Sequence, residues 1–208
     1  MKIGIKSTMS VVLSVLSLGA CAAESQWVER WVHGYAGKSG NSTVPSNEDG
    51  VEGMYEFSNQ VFLTGLYHMS KETSGGTDNN ALYSYSTVIA GGYSFNVRPD
   101  TKVQIGYAYQ DADVKNVQMG GIRVGAYRDQ HVYGNGPMMR VVHKVTQSLS
   151  ADVMLLQLKY TSDVTNMNSR IGLSYDFASN LYGRVEINSI DRSGYSSNRW
   201  ALGVGYRF

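Results

Sequence analysis

The last ten residues, "RWALGVGYRF", alternate without a break: Trp200, Leu202, Val204, Tyr206 and Phe208 share one face, and Arg199, Ala201, Gly203, Gly205 and Arg207 the other. A period of two is a strand pattern, because successive side chains of a strand point to opposite sides. The apolar face carries rings at both ends and aliphatic residues between them, over the length of a tilted strand that crosses a membrane. That combination restricts the fold more than any other feature of the chain.

The alternation recurs. Val103, Ile105, Tyr107 and Tyr109 oppose Lys102, Gln104, Gly106, Ala108 and Gln110; Ile171, Leu173, Tyr175 and Phe177 oppose Arg170, Gly172, Ser174 and Asp176; Leu181, Gly183, Val185 and Ile187 oppose Tyr182, Arg184 and Glu186. A Tyr-x-Phe repeat stands at Tyr55-Glu56-Phe57, Tyr93-Ser94-Phe95, Tyr175-Asp176-Phe177 and Tyr206-Arg207-Phe208, and the first three are each followed by a short polar turn. These mark descending strands that arrive at the periplasmic interface, with a fifth around Met138 to Lys144. Ascending strands are expected near 27–36, 60–70, 101–112, 151–161 and 181–190. The fold class is therefore an all-β, antiparallel, up-and-down transmembrane barrel of about ten strands, with short periplasmic turns and longer extracellular loops. The outer loops are placed at 38–50, 71–80, Asp113 to about Gln130, 162–168 and 191–198. Eight strands is the alternative, because Trp27, Trp31 and Tyr35 are four apart and "WVERWVHGY" also reads as a helix.

The N-terminus limits the compartment. Lys2 and Lys6 precede a short apolar stretch from Met9 to Leu18, and "GACAAES" supplies small residues, the marks of a secretory signal peptide over 1–23. Residues 24–208 then form the barrel domain. The single cysteine, Cys21, either lies in the cleavage triplet or carries lipid after a box formed by Leu18-Gly19-Ala20-Cys21; either way an intramolecular disulfide is excluded. Gly (23) and Tyr (15) are abundant, Pro (3) is scarce, and the mean hydropathy of −0.25 argues against a helical membrane protein. Removing Lys2 and Lys6 leaves 16 basic against 17 acidic residues, a net charge of −1 that gives no hint of nucleic acid as a partner.

The terminal "GVGYRF", and more loosely "GYSFNVRPDTKVQIGYAY" and "GLSYDFASNLYGRVEI", resemble strands of the outer membrane protein X / Ail family. The resemblance implies the bacterial outer membrane as location, with its lipid and lipopolysaccharide as surroundings. Tyr206 and Phe208 then stand where the assembly signal for the barrel assembly machinery would be. That family has eight-stranded barrels and surface roles of the adhesion and colonisation type, so host surface molecules are the implied partners.

The polar faces define what the lumen holds. Lys102, Arg140, Lys144, Lys159, Arg170, Arg184, Arg199 and Arg207 are expected inside, against Asp176, Glu186 and few other acids. Such a set either fills a small lumen with hydrogen bonds or, as the alternative function, lines a narrow channel for small anionic solutes. A third class rests on Asp111, Asp113, Asp129 and His131, which lie near the outer ends of adjacent strands and resemble the acid and His elements of the omptin outer membrane proteases. Yet the two elements share one hairpin, and acids are ordinary in surface loops. Together with Tyr127, Tyr133 and Tyr195 these residues are read as loop residues, and the chain as not an enzyme. No metal-ligand spacing or phosphate loop is present, so neither cofactor nor metal is expected. The leading expectation is a structural and surface-interaction barrel, ahead of the channel and the enzyme.

Overall fold

A computed structural model describes residues 27–39, 46–73, 80–118, 130–160, 164–192 and 195–208. The strands run β1 Arg30–Ser39, β2 Ser46–Glu56, β3 Val61–Thr73, β4 Asn80–Arg98 and β5 Thr101–Gln118, then β6 Gln130–Lys144, β7 Leu149–Tyr160, β8 Thr165–Asp176, β9 Leu181–Arg192 and β10 Tyr195–Arg207. Each pairs antiparallel with its sequence neighbours. The ring closes where β1 pairs with β10, from Trp31 opposite Arg207 to Ser39 opposite Arg199. The product is a closed ten-stranded barrel with no helix among the described residues, and closure leaves no strand edge unpaired. The expected leader 1–23, with Cys21, lies outside the described residues.

The first strand settles the strand count. Trp31, His33 and Tyr35 point inward while Val32, Gly34 and Ala36 point outward. Positions four apart share a face in a strand as well as on a helix, so the Trp31/Tyr35 spacing fits both, and the pairing of β1 to β2 and β10 decides for the strand.

The alternating faces are inverted relative to a soluble protein. Leu63, Ile89, Ile105, Ile171, Leu173, Val185, Leu202 and Val204 are exposed on the outer wall. Rings border this band at the turn end (Tyr55, Phe57, Tyr93, Phe95, Tyr175, Phe177, Tyr206, Phe208) and at the loop end (Tyr67, Tyr107, Tyr109, Tyr133, Trp200). A continuous apolar belt with aromatic borders is what lipid selects, and a charge at its middle costs about 2–4 kcal/mol. Phe208 sits at the closing seam, 6.5 Å from the rings of both Tyr55 and Tyr206.

The turns are tight, as expected. Pro99-Asp100 joins β4 to β5, and the Thr146 hydroxyl accepts from the backbone N–H groups of Ser148 (3.2 Å) and Leu149 (3.0 Å) between β6 and β7. The loop end departs from expectation. Ser46–Gly50, Asp113–Gln118, Thr165–Asn168 and Tyr195–Asn198 are strand where loop was expected. Once a hairpin has formed, its ladder of backbone hydrogen bonds continues past the apolar band, because pairing does not require lipid outside.

Candidate functional site

Among the described residues the lumen is filled by two components. On the β2 to β7 side, Met54, Phe62, Ala90, Ala108, Met138, Leu156 and Leu158 pack together with Trp31 and Tyr182. Against this cluster, on the same strands and toward the turn end, lies a dense ionic network, with Gln104 and Arg140 both in contact with the Met54 sulfur.

Asp152 of β7 is its hub. The Arg184 guanidinium donates to Asp152 Oδ2 at 2.6 Å and Oδ1 at 3.1 Å, while Arg140 Nε donates to Oδ1 at 3.2 Å. Arg184 Nε also reaches Glu186 at 2.9 Å, and Arg140 Nη1 reaches Glu29 at 3.2 Å and the Gln104 carbonyl at 3.0 Å. Arg170 holds Glu52 through two parallel bonds of 2.5 and 2.8 Å. That bidentate geometry is the strong form of the pair. Room for Arg184 comes from Gly172, where a Cβ would collide with the guanidinium, and room for the Tyr182 ring from Gly205.

The segment before β1 joins the network. Lys102, fully buried, donates to the Glu56 carboxylate and to the Trp27 carbonyl, and its ammonium lies 4.9 Å from the Trp27 ring centre. Lys144 approaches the same ring at 4.0 Å. Glu29 accepts from Gln104 at 3.1 Å, and its backbone N–H donates to Glu56 at 2.9 Å. Residues 27–29 thus enter the turn-end mouth and are fixed there by cations from β5 and β6. A cavity of about 180 Å³ remains beneath, lined by Lys144, Asp176 and Arg207 among others.

The expected cation excess is not found. Lys102, Arg140, Lys144, Arg170, Arg184, Arg199 and Arg207 face inward, but so do Glu29, Glu48, Glu52, Glu56, Asp152, Asp176 and Glu186, as many carboxylates as cations among the described residues. Arg199 pairs with Glu48 at 2.7 Å, and Arg207 with Asp176. Parity carried the missed signal in part: Glu52 and Glu56 share the face opposite Val51, Tyr55 and Phe57.

Lys159 is a correction. The inward residues of β7 are Asp152, Met154, Leu156, Leu158 and Tyr160, so Lys159 stands on the outer wall beside Asn135. Near the loop end a long cationic side chain reaches the polar zone beyond the apolar band.

Asp111, Asp113 and His131 do meet, though not in a loop and not over the barrel mouth. They lie on the outer face of β5 and β6, beyond the ring pair Tyr109 and Tyr133, with His131 Nδ1 2.5 Å from Asp113 and Nε2 3.4 Å from Asp111. Above the girdle, the hydrogen bond to Asp113, and secondly the Asp111 charge, raise the His131 pKa. With a carboxylate beside each ring nitrogen the imidazole bridges β5 and β6 as a clamp. Tyr133, expected on a protruding loop, stands instead in strand β6 on the outer wall beside Tyr109, because the hairpin ladder continues past it. Asp129 and Tyr127 lie outside the described residues, as does the side chain of Tyr195, the first residue of β10. One further group, His33 with Glu52 and Glu186, converges within 4.8 Å in the interior. Its two carboxylates are already engaged by Arg170 and Arg184, so this donor set does not fit a metal ion.

Above the network the lumen opens. A cavity of about 350 Å³ lies between the walls in the loop half of the barrel, floored by Arg170 and Glu186. Leu66 and Val88 of β3 and β4 line this vestibule across from Asn166, Asn168, Asn188 and Arg199 of β8 to β10, and Leu156 and Ile190 flank Asn168 in the ladder. Tyr35 and His68 bond at 3.0 Å on its rim, and Tyr160, Gln110 and Ser86 form a chain of 2.6 Å bonds along the wall.

A closed ten-stranded barrel with an apolar outer belt and an ionic network inside defines a membrane β-barrel protein. The chain belongs to the outer membrane protein beta-barrel domain family, whose match spans residues 9–208. No curated protein matches it. Among solved structures it is similar to the beta domain of the Bordetella autotransporter BrkA (13% identity, covering 88% of this chain and 99% of that one, TM-score 0.52). It is also similar to the NanC porin (12% identity, 85% and 100%, TM-score 0.51) and to Ail of Yersinia pestis (12% identity, 88% and 100%, TM-score 0.41). At these identities the likeness is one of fold.

Proposed function

We propose that this chain is a non-conducting barrel of the bacterial outer membrane whose role is surface interaction, of the adhesion or colonisation type anticipated from its outer membrane protein X / Ail-like last strand. The observation that carries the reading is the matched ionic network at the turn end. A path for anions needs cations that are available to the ion, and here Lys102, Arg140, Arg170 and Arg184 are each held by a carboxylate. The short turns are placed in the periplasm and the long hairpins outside, among lipopolysaccharide and host surface molecules. Phe208 serves assembly, and removing it is expected to lower the amount of barrel at the surface. No catalysis is assigned, and His131 is read as a clamp between strands on the outer face.

The test is attachment. Expression in a non-adherent Gram-negative host is expected to raise binding to cultured host cells, and trimming 119–129 in a barrel that still migrates as folded before boiling is expected to remove the gain. Attachment equal to the empty vector would overturn the surface role. The narrow anion channel is the second reading, favoured by Lys144 and Arg207 at the turn-end cavity.

A further inference from the structure

We infer that the vestibule is a binding site for an uncharged, hydroxyl-rich ligand of the size of one or two sugar rings. Its volume of about 350 Å³ falls within the range of small-molecule sites, about 300–1,000 Å³. The walls are chemically divided: Leu66 and Val88 on β3 and β4 present an aliphatic surface, and across from them Asn166, Asn168 and Asn188 on β8 and β9 present amides, with Leu156 and Ile190 flanking Asn168 in the ladder. A pyranose is divided in the same way, with C–H groups on its ring face and hydroxyls around its edge.

Charge sets the ligand class. Arg199 is bound to Glu48, Arg170 to Glu52, and Glu186 to Arg184, so the vestibule offers neither sign in excess. A charged ligand would have to break one of these pairs, and a neutral one would not.

Hydrogen-bonding capacity remains on the amide wall. The side-chain oxygens of Asn166 and Asn168 accept no hydrogen bond from the protein and Arg199 Nε donates none; all three atoms are turned from the open space, and a ligand hydroxyl reaches the oxygens once each amide rotates about its last side-chain bond. The two asparagines are two positions apart on β8 and share its inner face, about 7 Å from one another along the strand, a spacing that neighbouring hydroxyls of a ring can bridge. Water would satisfy the amides alone. It would gain nothing against the opposing aliphatic wall, which a sugar face would cover.

The site does not depend on the surface role or on closure of the turn end, so a barrel that conducts or fails to promote attachment leaves it standing. The experiment is calorimetric titration of the whole folded barrel in detergent micelles with maltose, N,N′-diacetylchitobiose and digalacturonate. Saturable binding of a neutral disaccharide is expected, weakened at least about tenfold by Asn166→Leu/Asn168→Leu and by Ser84→Trp, which fills the space from the facing strand. Migration of each variant before and after boiling reports whether it has folded. Binding of neither neutral probe, a preference for digalacturonate, or unchanged affinity in the folded variants would each overturn the inference.

Discussion

The two halves of the lumen are built from the same alternating strands and filled by opposite strategies. At the turn end, long charged side chains from the segment before β1, from β2 and from β5 to β10 meet in ion pairs across the interior, leaving about 180 Å³. At the loop end, shorter amides, hydroxyls and aliphatic groups stay near the walls and leave about twice that space. The difference assigns structural cohesion to one half and recognition to the other. A buried carboxylate shared between two guanidiniums is costly to remove, whereas an amide facing a cavity is not.

The largest effect should come from the hub. Asp152→Ala leaves Arg140 and Arg184 buried without their shared carboxylate and is expected to destabilise the barrel by about 3–5 kcal/mol, read as a lower urea midpoint for loss of heat-modifiable migration. A variant as resistant as the parent chain would erase the contrast between the halves. Next is the buried ammonium of the network. Lys102→Met is expected to free the segment around Trp27, seen as a red-shifted tryptophan emission newly quenched by iodide. The pair Lys102→Met/Glu56→Gln should be less destabilised than either single change, because no unpaired buried charge remains. A strictly additive pair would contradict the ionic account of the turn end.

In the vestibule, Asn168→Ala is expected to shift stability by no more than about 0.5 kcal/mol, since no protein group depends on its oxygen. A loss as large as that of Asp152→Ala would show the two halves to be alike. The smallest effect lies outside the lumen. The bond to Asp113 raises the His131 pKa, so the stabilisation it gives is fully present below the unfolded value near 6.5 and is lost as pH rises through the folded value. Asp113→Asn should bring the imidazole titration, followed by NMR, to a lower pH. An unmoved titration would remove the clamp.

Much of the barrel was legible because lipid and lumen impose opposite requirements on neighbouring residues. Runs such as Val103 to Tyr109 and Trp200 to Phe208 therefore declare their faces, and Tyr-x-Phe marks the turn-end girdle. Legibility failed where that opposition lapses. From Met154 to Leu158 both faces of β7 are largely apolar, because Leu156 and Leu158 serve the interior core, and the phase of Lys159 is lost. The acids were missed for a related reason. Glu48 lies in a hairpin that continues into what reads as loop, and Glu29 precedes the first ladder pair, so neither stands in an alternating run. The Asp111, Asp113 and His131 cluster was anticipated as a meeting but not as an outward one, since only register fixes the side on which a strand-end residue lies. The vestibule has no sequence signature, being the space left when ten strands contribute short residues at one level.

If its own ion pairs seal the turn half of the lumen, the barrel carries no ions. Single-channel recording of refolded residues 24–208 in a planar bilayer, under chloride and potassium gradients, decides this. The account expects no discrete current from the parent chain and steps from a folded Asp152→Ala barrel. Discrete, anion-selective steps from the parent chain would contradict it.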